Sequence, residues 1–444
     1  MTAERRRLWG WYFFDWASQP YNTLLLTFIF GPYVTELLGD GSAAQAAWGY
    51  GVGAAGLLIA LCAPVLGAVA DRSGARMGFV ALFSVFYILG AAGLWLAAPG
   101  DFPLVTVLAF FALGLIGMEF ATIFTNAMLP DLGPRERLGR ISGSGWAFGY
   151  LGGLVALVMM LALFAESAAT GRTLIGIEPV LGLDPAAREG TRAVGPLTAV
   201  WYALFMVPFF LWVRDVRPAA PVPVAQAARQ ALPDLLATLL GLQARHPSLT
   251  AYLASSMLYR DALNGMYVFG GIYAAGVLGW SVTDVGVFGI LAVITGAIFA
   301  WAGGFADDRF GPKRVIAAGV GVLALVAVAV TQVDRTAVFG IAAGPDSRLP
   351  DIAFYLLGAT IGAAGGVLQS ASRTMMVRQA IPGRMTEGFG LYALAGKATS
   401  FLAPLAIGIT TDLTGSQQAG ILPLVGLFLL GLVLLYWVRA EGDT

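Results

Sequence analysis

A charged turn punctuated by glycine occurs twice in a chain that is otherwise strongly apolar. Its first copy is Gly67-Ala68-Val69-Ala70-Asp71-Arg72-Ser73-Gly74-Ala75-Arg76. The second, about 237 residues further on, is Gly303-Gly304-Phe305-Ala306-Asp307-Asp308-Arg309-Phe310-Gly311-Pro312-Lys313-Arg314. Each copy ends one long apolar segment and immediately precedes another. Each therefore reads as a tight turn at a membrane surface, with glycine permitting the bend and arginine staying in water. The same turn made twice implies two similar halves.

A second repeat sets their relative direction. Tyr12-Phe13-Phe14-Asp15 opens the first apolar segment, and Met257-Leu258-Tyr259-Arg260-Asp261 lies early in the seventh, with Asp15 and Asp261 246 residues apart. The halves run the same way, so each crosses the membrane an even number of times. Composition agrees: 444 residues, 58% hydrophobic and only 12% charged, with mean hydropathy +0.77, exclude a soluble enzyme. At roughly 20 residues per crossing, about twelve spans use on the order of 240 residues and leave room for short loops and one linker. The expected spans are 9–38, 46–70, 77–98, 102–129, 141–164, 196–213, 248–278, 282–306, 314–331, 352–376, 388–411 and 420–438. The fold class is an all-α membrane protein of twelve transmembrane helices in two pseudo-symmetric six-helix halves. Residues 1–213 form the first half, 214–247 a cytoplasmic linker and 248–444 the second half. The linker opens on the proline-rich 218–223, and its later part, 225–242, has leucines at helical spacing that fit an amphipathic helix on the membrane surface.

Basic residues orient the chain. Eighteen of the 26 Lys and Arg fall on the side of the N-terminus, five on the other side and three within spans, which puts both termini in the cytoplasm. The basic start, Met1 to Leu8, leads into a long apolar stretch with no small-residue cleavage site and reads as an uncleaved first span. Zero net charge implies no polyanionic partner and no nucleic acid. Cys62 stands alone, so no intrachain disulfide forms. The only histidine, His246, is in the linker, so no histidine-based metal site or relay assembles. Gly51-Val52-Gly53-Ala54-Ala55-Gly56 matches a dinucleotide pattern but lies inside a span with no preceding strand, and Gly396-Lys397-Ala398 lacks the Ser or Thr of a phosphate loop. No cofactor is expected, and transport would be driven by a gradient or by the cargo's own concentration difference.

Six charges sit inside spans: Asp15, Glu119, Arg260, Asp261, Arg373 and Lys397. Each costs about 2.5–3.5 kcal/mol on insertion scales, so such groups face a cavity, pair with one another, or both. Three of each sign point to a balanced interior network, and the same residues would also serve as helix-to-helix ties. Asp15 and Asp261 are the leading candidates for solute contact or proton exchange, since they occupy matching positions among aromatics and amides. Trp11, Tyr12, Trp16, Gln19, Tyr21 and Asn22 surround the first, and Tyr259, Asn264 and Tyr267 the second. Such residues line polar cavities, and the aromatics would equally suit an interfacial belt.

The double turn and the twelve-span layout resemble the major facilitator superfamily, whose G-x-x-x-D-R-x-G-x-R turn follows spans two and eight. The resemblance implies a conformational gate at Gly67, Asp71, Arg72, Gly74 and Arg76 in the first copy, and at Asp307, Asp308, Arg309 and Gly311 in the second. One extra residue in the second copy leaves Asp307 and Asp308 both open as its carboxylate. In that superfamily the turn's Asp caps or pairs with a neighbouring helix end and helps hold one conformation closed. Residues 11–21, 126–153, 259–280 and 369–408 look like one branch, the vacuole effluxer-like permeases named for a yeast autophagy-linked exporter of amino acids. These stretches bring in Asn126, Gln369, Ser372, Arg373 and Lys397. The implied protein is a monomeric secondary transporter in a bacterial plasma membrane that carries a small organic solute, amino acids first, with protons as the coupling ion. Arg373 or Lys397 would then meet a carboxylate and Asp15 or Asp261 an ammonium. A sugar or drug permease is the alternative in the same class, and a lipid scramblase or membrane-embedded enzyme the alternative outside it.

Overall fold

The computed structural model describes residues 2–443 apart from 101, 127, 134–137, 215–221, 345, 380–390, 393, 394 and 397. The helices in chain order are α1 (Ala3–Pro20), α2 (Phe30–Leu38), α3 (Gly41–Ser73), α4 (Arg76–Gly93), α5 (Leu104–Asn126), α6 (Leu138–Met159), α7 (Glu189–Arg192), α8 (Val194–Phe205) and α9 (Val207–Trp212). They are followed by α10 (Val224–Arg245), α11 (Pro247–Leu278), α12 (Val282–Phe310), α13 (Pro312–Val330), α14 (Leu349–Gln379), α15 (Leu402–Thr414) and α16 (Gln417–Tyr436). Among the described residues eight helices are long and apolar enough to cross a membrane. The remaining expected crossings are α1 with its continuation, α3, α11 and α15. Within α11, Arg260 and Asp261 interrupt the apolar run.

Three spans expected as single helices are broken, two of them at a proline. Pro20 ends α1, and the chain winds on as a π-helix, Tyr21–Phe28, closed by Ile29 N donating to Leu24 O at 2.9 Å. Proline has no N–H to offer the carbonyl four residues back. That carbonyl, Trp16 O, instead accepts Trp201 Nε1 at 3.2 Å. Pro208 divides α8 from α9 in the same way. The eleventh span turns at 399–401 before α15 begins. A short antiparallel hairpin, β1 (Ala337–Val338) with β2 (Ile341–Ala342), is the one pair of strands among the described residues.

The repeated turn is capped alike in both copies. Gly74 N donates to Ala70 O at 3.0 Å with φ +66°, and Gly311 N donates to Asp307 O at 2.9 Å with φ +79°. Positive φ is the reason glycine stands there. The ψ values differ, 21° against 148°, because Gly311 precedes a proline, which excludes the helical region. At this end the C-terminal tail joins α11: Asp443 accepts from Ser248 N at 2.9 Å, and Arg439 N donates to Ser248 Oγ at 2.9 Å. Helix α10 packs along α3, burying Ala227 against Val69 rather than lying free on the surface.

Contact between the first helical group (α1–α9) and the second (α11–α16) concentrates at the opposite end. Gly49 lets α3 close on α15: a Cβ there would lie 2.8 Å from the Gly408 Cα and from Pro404 O. Glycine at such crossings lets backbones approach in lipid. Beside it Gln45 Nε2 donates to Thr411 Oγ1 at 2.6 Å, Gln417 Nε2 to Gln45 Oε1 at 3.1 Å, and Ser42 Oγ to Gly415 O at 3.1 Å. Tyr50 Oη meets Asp412 Oδ2 at 3.1 Å. Phe28 and Phe288 continue the seal with ring centroids 6.2 Å apart.

The loop between the fifth and sixth crossings folds onto this end. Glu166 is fully buried, accepts from Thr191 N and Oγ1 (3.2 and 3.0 Å) and pairs with Arg188 Nε at 3.1 Å. Arg188 also pairs with Glu36 at 2.9 Å, tying the loop to α2. Arg192 donates to Trp95 O at 2.7 Å and lies over the Trp95 ring.

Candidate functional site

Three helices present a polar stripe to the space between the two groups at the spacing of one helix face. On α1 and its π continuation the stripe is Asp15, Ser18, Gln19, Asn22 and Thr23; on α5 it is Met118, Glu119, Thr122 and Asn126; on α11 it is Arg260, Asn264 and Tyr267. Positions three, four and seven apart share one side of a helix. Trp146, Gly149 and Tyr150 of α6, Gln369 of α14, and Gly396 and Ser400 beside the break complete a cavity of about 260 Å³.

Asp15 reaches it because α6 offers glycine. A Cβ on Gly145 would lie 2.7 Å from Asp15 Oδ2, one on Gly149 3.2 Å from Asp15 Cβ, and one on Gly152 2.8 Å from Trp16 O. Across the cavity Arg373 is within electrostatic reach of Asp15, with its guanidinium 4.8 Å from the Trp146 ring centroid. One turn along both helices, Gln369 Nε2 donates to Tyr150 Oη at 2.9 Å. Gln369–Tyr150 and Arg373–Trp146 thus form two rungs between antiparallel α14 and α6.

The cavity brings together Asp15, Gln19, Asn22, Glu119, Asn126, Arg260, Asn264 and Gln369 from the expected set. Other candidates lie elsewhere. Trp16 stacks on Trp201, lies tilted against Phe148 and meets Phe205 edge-on. Tyr21 is buried, donating to Phe111 O at 2.7 Å, and Tyr259 is buried against Ser372 Oγ at 2.8 Å. Asp261 follows Arg260 by one residue, about 100° around the helix. It therefore turns away from the cavity, and its Oδ2 accepts from Ala403 N at 2.9 Å at the start of α15. Asp15 and Asp261 match in sequence but not in surroundings. Lys397 lies outside the described residues. Tyr150, Trp146, Thr23, Thr122 and Ser400 are cavity residues the sequence reasoning left out. The helical period that relates Thr23 to Gln19 and Thr122 to Glu119 is the signal that could have found them.

At the repeated turn, Arg76 Nη1 pairs with Asp131 Oδ2 at 3.1 Å, joining the start of α4 to the turn after α5. Asp307 is buried, and Arg309 lies over the Phe310 ring at 5.5 Å. Among the described residues nothing lies within 4 Å of a Cβ built on Gly67. The side chains of Asp71, Arg72 and Asp308 are outside the description. Lys313 Nζ, just beyond the second copy, donates to Val438 O at 2.6 Å at the C-terminal end of α16, where cations are favoured.

The fold is similar to that of solved transporters. A D-xylose–proton symporter superposes with TM-score 0.68 over 99% of both chains at 12% identity. The human organic anion transporter MFSD10 gives TM-score 0.63 over 98% of this chain and 100% of that one at 17% identity. The nucleoside transporter NupG gives 0.62 with the same coverage and identity. The fold is that of the major facilitator transporters, with a polar cavity between its two helical groups. Residues 34–443 match the family model for vacuole effluxer Atg22-like proteins, and the chain belongs to that family. It is 24% identical to an uncharacterized MFS-type transporter, YxiO of Bacillus subtilis, over 98% of this chain and 95% of the relative. It is 26% identical to autophagy-related protein 22-2 of Aspergillus fumigatus over 68% of this chain and 49% of that protein. The chain thus spans about half the length of the fungal relatives it matches.

Proposed function

We propose that this transporter moves a small organic solute, amino acids first, by alternating access, with proton coupling. The observation that carries the reading is the central cavity: carboxylates Asp15 and Glu119 line its first-half wall and Arg260 its second-half wall. A cavity with both signs suits a zwitterion, whose two charges each lose water on entry and need an opposite charge in return. The amino-acid cargo itself comes from the family resemblance. In this reading residues 1–213 and 248–444 are the rocking halves, 214–247 links them, and the termini face the cytoplasm of a bacterial cell. The cavity then stands closed to the outside by α3 against α15 and by Phe28 against Phe288. The repeated turn, with Arg76–Asp131 and buried Asp307, acts as a gate at the cytoplasmic end.

The test is flux in proteoliposomes of purified protein, with labelled amino acids and sugars carried separately. Saturable uptake of an amino acid, accelerated by the same solute inside, is expected; movement of lipid in empty vesicles with no solute flux would overturn the reading. For Asp15→Asn, loss of accumulation against a gradient with exchange of preloaded solute retained is expected. Unimpaired accumulation in that variant would remove Asp15 from coupling.

A further inference from the structure

We infer that Arg260 is the anchor for a carboxylate group on the carried solute. The inference rests on the transport reading above and assigns one end of the solute to one side chain. Arg260 projects from α11 on the face that also carries Asn264 and Tyr267, toward the cavity. Its guanidinium lies 4.3 Å from the Tyr392 ring centroid, and Nη1 donates to Tyr392 O at 3.2 Å. Gly396 admits it: a Cβ there would fall 2.5 Å from Cζ. The ring and the glycine backbone hold the group in place while using only one of its N–H donors.

Among the described residues Arg260 makes no ion pair. Asp261, next in sequence, accepts from Ala403 N, and Asp15 is within electrostatic reach of Arg373. A cation held at membrane depth with no ion pair among the described residues is a costly arrangement, and a bound anion relieves it. The planar fork of arginine matches a carboxylate through two parallel hydrogen bonds. A multiply charged anion such as a phosphate dianion is disfavoured, because Asp15 and Glu119 on the facing wall repel it while one guanidinium cannot neutralise it. The anchor therefore selects a solute with a single carboxylate.

The experiment compares matched solutes with and without the carboxylate: leucine and leucinamide, lactate and lactamide, gluconate and glucose. Binding is read as a rise in melting temperature of the purified full chain, and transport as flux in proteoliposomes. Wild-type protein should prefer the carboxylate member of at least one pair. Arg260→Gln should lower affinity for that member about 10- to 100-fold, as expected when a charge-assisted hydrogen bond is lost, and should not lower affinity for the counterpart without the carboxylate to the same extent. Arg260→Lys should fall between the two, since it keeps the charge and loses the fork. The wild-type comparison needs no variant to fold. Equal handling of both members by wild type, or unchanged selectivity in Arg260→Gln, overturns the anchor while transport stands. Wild-type protein that carries no solute of any pair overturns the transport reading with it.

Discussion

Glu166 and Asp334 are both acidic residues at the end of the molecule away from the termini, and their surroundings push them in opposite directions. Burial moves the Glu166 carboxyl above its ordinary value, against the pull of Arg188 and of the Thr191 donors. Asp334, on an exposed turn, is held below its ordinary value by the Thr336 hydroxyl and then by the Thr336 backbone N–H. A raised carboxyl adds stability below its unfolded value and loses it as pH rises through the folded one; a lowered carboxyl does the reverse. The excess melting temperature of wild type over Glu166→Gln should therefore be largest in acid and shrink toward neutrality. That over Asp334→Asn should be constant near neutral pH and vanish only below the ordinary carboxylate range near ~4. Melting curves across acid to neutral pH check both, and parallel trends for the two variants would contradict the assignment. The residue scale is also where sequence reading ran short. Arg260 and Asp261 are adjacent, and which of them meets the cavity is decided by the turn at 399–401, which puts Ala403 N in front of Asp261. No local pattern encodes that contact.

Among the elements, α6 and α14 are joined by two rungs, Gln369 with Tyr150 and Arg373 with Trp146. Gln369→Leu removes the bond to Tyr150 and leaves Arg373 on Trp146. A hydrogen bond of ordinary net strength makes opening toward the termini about two- to tenfold more frequent once it is removed. Asn126 is exposed in the cavity, so thiol labelling of Asn126→Cys, in a background with Cys62 replaced by Ser, reads that frequency. A rate unchanged by Gln369→Leu would show that this rung does not restrain the halves. The helices themselves were legible because hydrophobic length and loop arginines are local signals. Their breaks were less so: Pro20 marks the first by chemistry, but the π winding after it and the capture of the Trp16 carbonyl by Trp201 join residues 185 positions apart. The cavity stripes lay between these cases, since the period of a helix was visible while the choice of face depended on packing.

At the scale of the whole molecule, the repeated turn and the span count carried the architecture, because duplication is written directly in the chain. Which end stands closed is not written there. It follows from long-range contacts such as Gln45 with Thr411 and Gln417, residues more than 360 positions apart. These buried amides and the Thr411 hydroxyl bond to one another in series, and such a buried network is a cooperative tie. If the account is right, this tie must open and close in each cycle. The most direct measurement is counterflow of labelled leucine into proteoliposomes preloaded with unlabelled leucine, using Gln45→Cys with Thr411→Cys and Cys62→Ser. Joining the two thiols with a short reducible cross-linker should stop exchange, and reductant should restore it. Exchange that continues at the same rate with the outer ends of α3 and α15 held together would contradict alternating access through this cavity.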